Sequence, residues 1–281
     1  RHLRTFLKYA KQENTAKVFL SMFDNFWIAE ADNGHWDEFP YKDECSLSTW
    51  GEMFTNECAR KHTKNRIRRV LDVITGDIHA DTYSDGEKDG GEDYYTMIAA
   101  IDLMNEVDNY WTVNQDSLKV WTNEMRGFLE NYETQIGREP HTIYLSFYVY
   151  QAATLIDIAH NKDNKYVDIV SPHFYWEDNG KGINYSNNIL GSQVFISDRI
   201  GEHLRWTANQ TDGAPQRQVM PVMDTEWGPI NLPLETPPPF DKYYRLVSLI
   251  HFAAGEYGFG FRWPSFIDAN NHFKMPDAFK N

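Results

Sequence analysis

Two glutamates stand directly after short apolar runs, Glu106 at the end of Ile101-Asp102-Leu103-Met104-Asn105 and Glu226 at the end of Val222-Met223-Asp224-Thr225. A pair of carboxyl groups can break a glycosidic bond. Held about 5–5.5 Å apart, one protonated and one ionised, they give retention through a covalent intermediate, whereas about 6.5–9.5 Å apart they give inversion through an intervening water. Other chemistries lack their signatures: there is no Gly-x-Ser-x-Gly elbow and no phosphate-binding glycine loop. The acidic tract Asp81–Asp93, with Gly86, Gly90 and Gly91, departs from calcium-loop spacing. A solvated loop is its default reading, a metal site joined by His79 the minor one, and no metal or cofactor is expected.

The elements that must position these residues alternate along the chain. Short apolar runs at Lys17–Asp24, Met97–Asn105, Thr142–Gln151, Val167–Tyr175, Gln218–Glu226 and Gly258–Trp263 are strand candidates. Helical periodicity marks Trp50–Ile74, Leu118–Ile136, Ala152–His160, Ile196–Ala208 and Phe240–Glu256, and Arg1–Ala16 forms a further helix. This alternation predicts βα units around a parallel sheet, with strands covered on both faces. The strands finish on residues that a core would not choose: Asp24, Asn105-Glu106, His173-Phe174-Tyr175, Glu226-Trp227 and Arg262-Trp263. Polar groups converging at carboxyl ends mark the active mouth of a (β/α)8 barrel. No internal boundary is visible, so residues 1–281 are expected to form a single catalytic barrel domain.

Composition narrows the partners. The net charge of −14, with no Lys/Arg stripe, argues against nucleic acid. No run approaches the roughly 20 apolar residues of a membrane span. An aromatic content of 15% is high, and flat rings with polar rims are what sugar faces stack upon. Trp27, Trp111, Trp176, Trp227 and Trp263 lie at strand ends or in loops, where about half are expected to touch a ligand and the rest to pack. The long segments Trp27–Trp50 and Trp176–Gln193 would then wall an extended cleft. Cys45 and Cys58, with twelve residues between them, are as consistent with free thiols as with a disulfide, and export would favour the disulfide. The glycosylation triplets at Asn184 and Asn209 carry little weight.

With those residues in view, the chain resembles the clan A retaining glycoside hydrolases, which are (β/α)8 barrels. Asn105-Glu106 is similar to that clan's fourth-strand Asn-Glu, Glu226 to its seventh-strand nucleophile, His173-Phe174-Tyr175 to its sixth-strand His-x-Tyr, and Trp263 to its eighth-strand Trp. The resemblance implies that Glu106 protonates the leaving oxygen and later activates water, and that Glu226 attacks the anomeric carbon. It further implies that Asn105 bonds the sugar 2-hydroxyl, Tyr175 orients Glu226 and Trp263 floors the ring. His173, Trp27, Trp176 and Trp227 complete the expected substrate-binding set. On this register the six strands are the third to the eighth, so the first two are expected to be missing from this chain.

The function expected is a secreted or periplasmic retaining endo-glycosidase cutting a β-linked polysaccharide, of agarase/porphyranase or cellulase type, with a lean toward wall galactans or glucans. Two alternatives stay open. A carbohydrate-binding barrel without turnover would share the aromatic cleft but would not need both glutamates, and an inverting glycosidase would hold its carboxyl groups farther apart. Glu106 also has a bland reading, as a helix N-terminal carboxylate. Oligomeric state is not legible here.

Overall fold

The computed structural model describes residues 2–12, 17–25, 28, 35–76, 91–107, 114–148, 167–173, 223–225 and 258–259. They fall in two compact units, Arg1–Leu145 and Ser146–Asn281.

In the first unit, helix α1 (His2–Gln12) precedes strand β1 (Val18–Ser21), short helix α2 (Pro40–Glu44), helix α3 (Glu57–Thr75), strand β2 (Ile98–Asp102), helix α4 (Gln115–Gln135) and the first residues of β3 (Thr142–Tyr148). The strands run parallel in the order β1-β2-β3, with Leu20 opposite Ile101 and Ile101 opposite Ile143. Ile101 and Ile143 are fully buried, as the apolar runs require of a parallel sheet. Helix α3 buries Ile67, Leu71 and Ile74 at helical spacing, and α4 buries Leu118, Trp121, Met125 and Leu129. Helix α1 buries Leu7 and is pinned by Arg4, which donates to the Val73 carbonyl at 2.5 Å and the Glu92 carbonyl at 3.0 Å.

Capping chemistry sets the helix ends. The expected helix Trp50–Ile74 is instead a 3-10 turn, Trp50–Phe54, followed by α3. The Asn56 side chain causes the break by accepting from the Ala59 amide at 3.2 Å, an N-cap that starts a new helix. Likewise α4 begins at Gln115 rather than Leu118, because Asn114 accepts from the Asp116 and Ser117 amides at 2.9 and 3.2 Å. At the other end of α3, Gly76 has φ +80, and a Cβ there would lie 2.5 Å from the Gly91 carbonyl oxygen. Only glycine fits.

The described part of the segment expected to wall a cleft is instead packed. Trp36 stacks on Phe39 at 5.7 Å, Phe39 meets Tyr41 at 4.8 Å and Trp50 at 5.8 Å, and the chain of rings continues through Phe54 to Trp121. Trp50 is 7% exposed. These aromatics are a satellite core, stapled beneath by the Cys45–Cys58 disulfide with its Cα atoms 5.5 Å apart.

Where α4 runs into β3, a buried polar cluster joins the strand starts. Glu133, fully buried, accepts from the His141 amide at 3.0 Å and pairs with His141 Nδ1, while Nε2 faces the Tyr95 carbonyl at 3.2 Å. The Tyr95 hydroxyl donates to the Glu139 carbonyl at 2.6 Å. Burial, followed by its interaction with Glu133, pushes the Tyr95 phenol far above the ordinary tyrosine range. Tyr41 is raised as well, again by burial foremost and against the opposing charge of Arg66.

In the second unit, β4 (Ile169–His173) lies beside β5 (Met223–Asp224), and β5 pairs in parallel with β6 (Gly258–Phe259). The expected helices Ala152–His160, Ile196–Ala208 and Phe240–Glu256, the stretch 81–90 of the acidic tract and His79 lie outside the described residues. Among those described, no helix is long and apolar enough to cross a membrane.

Two predictions come from these features. Reducing Cys45–Cys58 should lower unfolding stability by about 2–3 kcal/mol, since the cross-link restricts the unfolded chain. Denaturant midpoints with and without reductant check this, and unchanged midpoints contradict it. The buried tyrosines should also make stability depend on alkaline pH. With the folded-state values of Tyr95 and Tyr41 raised, their contribution is complete below the ordinary tyrosine value of about 10 and falls as pH climbs above it, because only the unfolded chain ionises readily. The slope of stability against pH in that window should shrink in Tyr95→Phe; an equal slope in the variant would contradict the assignment.

Candidate active site

Pairing between β1 and β2 does not stop where the strands formally end. Ser21 lies opposite Asp102, after which the Met22 amide donates to the Asp102 carbonyl at 2.8 Å, the Asn105 amide to the Phe23 carbonyl at 2.8 Å and the Asn25 amide to the Asn105 carbonyl at 3.1 Å. Side chains extend the seam: Asn105 Nδ2 donates to Asp24 Oδ1 at 3.3 Å, and Asn25 Nδ2 donates to the Glu106 carbonyl at 2.8 Å. Glu106 is 5% exposed and has φ +49. A left-handed residue with a Cβ costs roughly 1–2 kcal/mol, so the surrounding bonds must hold it there. Residues 106 and 107 form a turn, and residues 108–113, where a helix would follow in the reading of Glu106 as a helix N-terminal carboxylate, lie outside the described residues.

One step down the strands lies a polar row, Ser21, Asp102 and Tyr144, in register across β1, β2 and β3. Asp102 is fully buried, accepting from the Ser21 hydroxyl at 3.1 Å and from the Met104 amide at 3.2 Å. The Tyr144 phenol is held well above its ordinary range, by burial first and by the Asp102 charge second, with a Ser21 hydrogen bond opposing. From α3, Arg66 Nε donates to the Met22 carbonyl at 2.8 Å and its guanidinium sits 4.8 Å from the Phe23 ring centre. Helix, strand and turn are thereby tied together beneath Glu106.

Asn25, Asp102 and Arg66 were not among the candidates drawn from the sequence. Asp102 had a signal, an acid breaking an otherwise apolar run; Asn25 was hidden behind the more obvious Asp24, and Arg66 in a helix rich in basic residues.

In the second unit, His173 is fully buried and its Nε2 lies 3.1 Å from Thr225 Oγ1. Ser171 Oγ lies 2.6 Å from the same hydroxyl and accepts from the Thr225 amide at 3.1 Å. This fixes the residue immediately before Glu226. Glu226 itself, with Tyr175, Trp27, Trp111, Trp176, Trp227 and Trp263, lies outside the described residues. Among the described residues, Cys45, Cys58 and His62 bring ligand-type atoms within 4.8 Å of one another, but the two sulfurs are bonded to each other and His62 Nδ1 is 3.2 Å from Glu44. That grouping is a stapled corner, not an open metal site.

A buried carboxyl on a clamped turn, with an amide side chain next to it at a strand's carboxyl end, can deliver and recover a proton at a fixed position. No protein-family model matches the chain, and no curated protein matches it. Solved structures do. The chain is similar to the hyperthermostable endo-1,4-β-D-mannanase of Thermotoga petrophila RKU-1, with a TM-score of 0.62 and 17% identity over 96% of this chain and 71% of that one. It is similar to a second structure of an endo-β-1,4-mannanase from Thermotoga petrophila, with a TM-score of 0.61 and 18% identity over 96% of this chain and 55% of that one. A broad-specificity endoglucanase of the GH5-4 group from Clostridium longisporum follows at a TM-score of 0.50 and 13% identity, over 97% of this chain and 67% of that one. The chain thus spans about half the length of the second mannanase structure. At these identities the likeness establishes the fold: the chain has the α/β (β/α)8-barrel architecture of these glycosidases.

Proposed function

We propose that the chain is a retaining glycoside hydrolase that cuts a β-linked polysaccharide internally, with Glu106 as acid/base and Glu226 as nucleophile. The observation that carries the reading is Glu106 itself, a buried carboxylate at the carboxyl end of β2, paired with Asn105 and held in a left-handed turn by the end of β1. Glu106 gives its proton to the leaving oxygen as a Glu226 oxygen bonds to the anomeric carbon and the glycosidic bond breaks. Glu106, now a carboxylate, then takes a proton from water, which attacks that carbon and frees Glu226. Asn105 bonds the sugar 2-hydroxyl, His173 fixes Thr225 before the nucleophile, Tyr175 orients Glu226, and Trp263, Trp27, Trp176 and Trp227 supply stacking faces.

The substrate class favoured is a β-1,4-linked mannan or glucan, in keeping with the printed activities of the similar mannanases and endoglucanase. It keeps the glucans of the wall galactans or glucans expected from the sequence and adds mannans. The disulfide supports a secreted or periplasmic setting, where such bonds persist.

Assay of the purified protein on mannan, glucan, galactan and agarose, with the anomer of the first product read by NMR, tests the reading. Retention on a β-1,4-linked substrate is expected, and inverted product or no turnover on any of them contradicts it. Glu226→Gln should abolish turnover. Glu106→Ala should lose about 10²–10⁴-fold in kcat/KM on polysaccharide yet keep most of its kcat/KM on glycosides with activated leaving groups, where its lowered kcat should rise with azide; equal losses of kcat/KM on both substrates would remove Glu106 from the acid/base role.

A further inference from the structure

We propose that Asn25 is a positioning residue for the acid/base glutamate, its side-chain amide holding the left-handed turn from which Glu106 projects; this rests on the reading of Glu106 given above. Asn25 is fully buried. It cannot touch a polymeric substrate, so any effect it has on the chemistry must pass through Glu106. Its Nδ2 donates to the Glu106 carbonyl at 2.8 Å, and its own backbone amide to the Asn105 carbonyl at 3.1 Å. One residue therefore grips both members of the Asn-Glu pair.

The grip matters because of where Glu106 sits in backbone space. Among the described residues only Ser46, at φ +53, and Glu106, at φ +49, are non-glycines with positive φ. Ser46 is exposed, in the tight turn after α2. Glu106 is buried, and rotation back to the ordinary right-handed region would swing its Cβ and carboxyl to a new direction. Asn25 Nδ2 opposes that rotation on its carbonyl side.

A second observation separates positioning from simple packing. Asn25 Oδ1 is buried and accepts no hydrogen bond from any described residue. A half-satisfied buried amide weakens a fold, so an asparagine here suits the one bond that its NH2 group makes. An aspartate, equal in size, could make that bond only when protonated.

The test compares kcat/KM on two β-glycosides of the same sugar, one with an activated aryl leaving group and one with an unactivated leaving group, for the wild type, Asn25→Ala, Asn25→Asp and Glu106→Ala. A misplaced acid should cost about 10²-fold on the unactivated substrate and little on the activated one. For Asn25→Asp the optimum should shift to lower pH, where the aspartic acid donates. Equal losses on both substrates in Asn25→Ala, or none, overturn the proposal as long as Glu106→Ala shows the split. Failure of Glu106→Ala to show it overturns the acid/base reading and this inference together. Should Asn25→Ala not fold, the isosteric Asn25→Asp decides: an acid-shifted profile supports the role, and an unshifted one refutes it.

Discussion

The seam between the carboxyl ends of β1 and β2 is the constraint from which the rest of the first unit's candidate site follows. Parallel strands usually diverge where their ladder stops, because the chain must turn away into a crossover. Here backbone bonds continue through Phe23, Asn25 and Asn105, and two asparagine side chains carry the pairing on to Asp24 and Glu106. The turn at Glu106 is thus closed by groups from a different strand. A residue that its own sequence neighbours would leave in an ordinary conformation is held in a left-handed one.

Supports for that seam come from below and from the side. Burying Asp102 removes a carboxylate from water, which is tolerable only where donors replace the lost solvent. The Ser21 hydroxyl of β1 and the Met104 amide, just past the end of β2, do so. Arg66 reaches from α3 to the Met22 carbonyl, so the helix that covers the sheet also fixes the chain just before the seam. The position of α3 is set in turn by Asn56 at its start and Gly76 at its end. Local choices of capping residue therefore propagate to the geometry of the Glu106 turn several elements away, which is how a rigid scaffold preorganises a site.

Much of this was legible in the amino-acid order, and the parts that were not share a cause. Apolar runs located β1, β2, β3 and β4 to within a few residues because burial on both faces demands unbroken hydrophobic character. The carboxyl-end placement of Asn105 and Glu106 followed from their position after such a run. Helix starts were missed by one to two turns where an asparagine cap decided them, since capping is a contact between atoms two or three residues apart that periodicity does not register. The segment Trp27–Trp50 was read as the wall of a cleft, yet Trp50 is core and Trp36 packs against it, because an aromatic in a polar stretch has the same one-letter signature whether it meets a ligand or another ring. Asn25 was illegible for a deeper reason: its importance lies in a bond to Glu106 across 81 positions of sequence.

The most direct measurement of the central claim is covalent trapping. Incubation with a slow-reacting fluorinated β-glycoside of the preferred sugar, followed by proteolysis and mass spectrometry, should find a single glycosyl ester on Glu226, formed in the wild type and absent from Glu226→Gln. A label on another carboxylate, or an active enzyme that accumulates no ester and releases inverted product, would contradict the account.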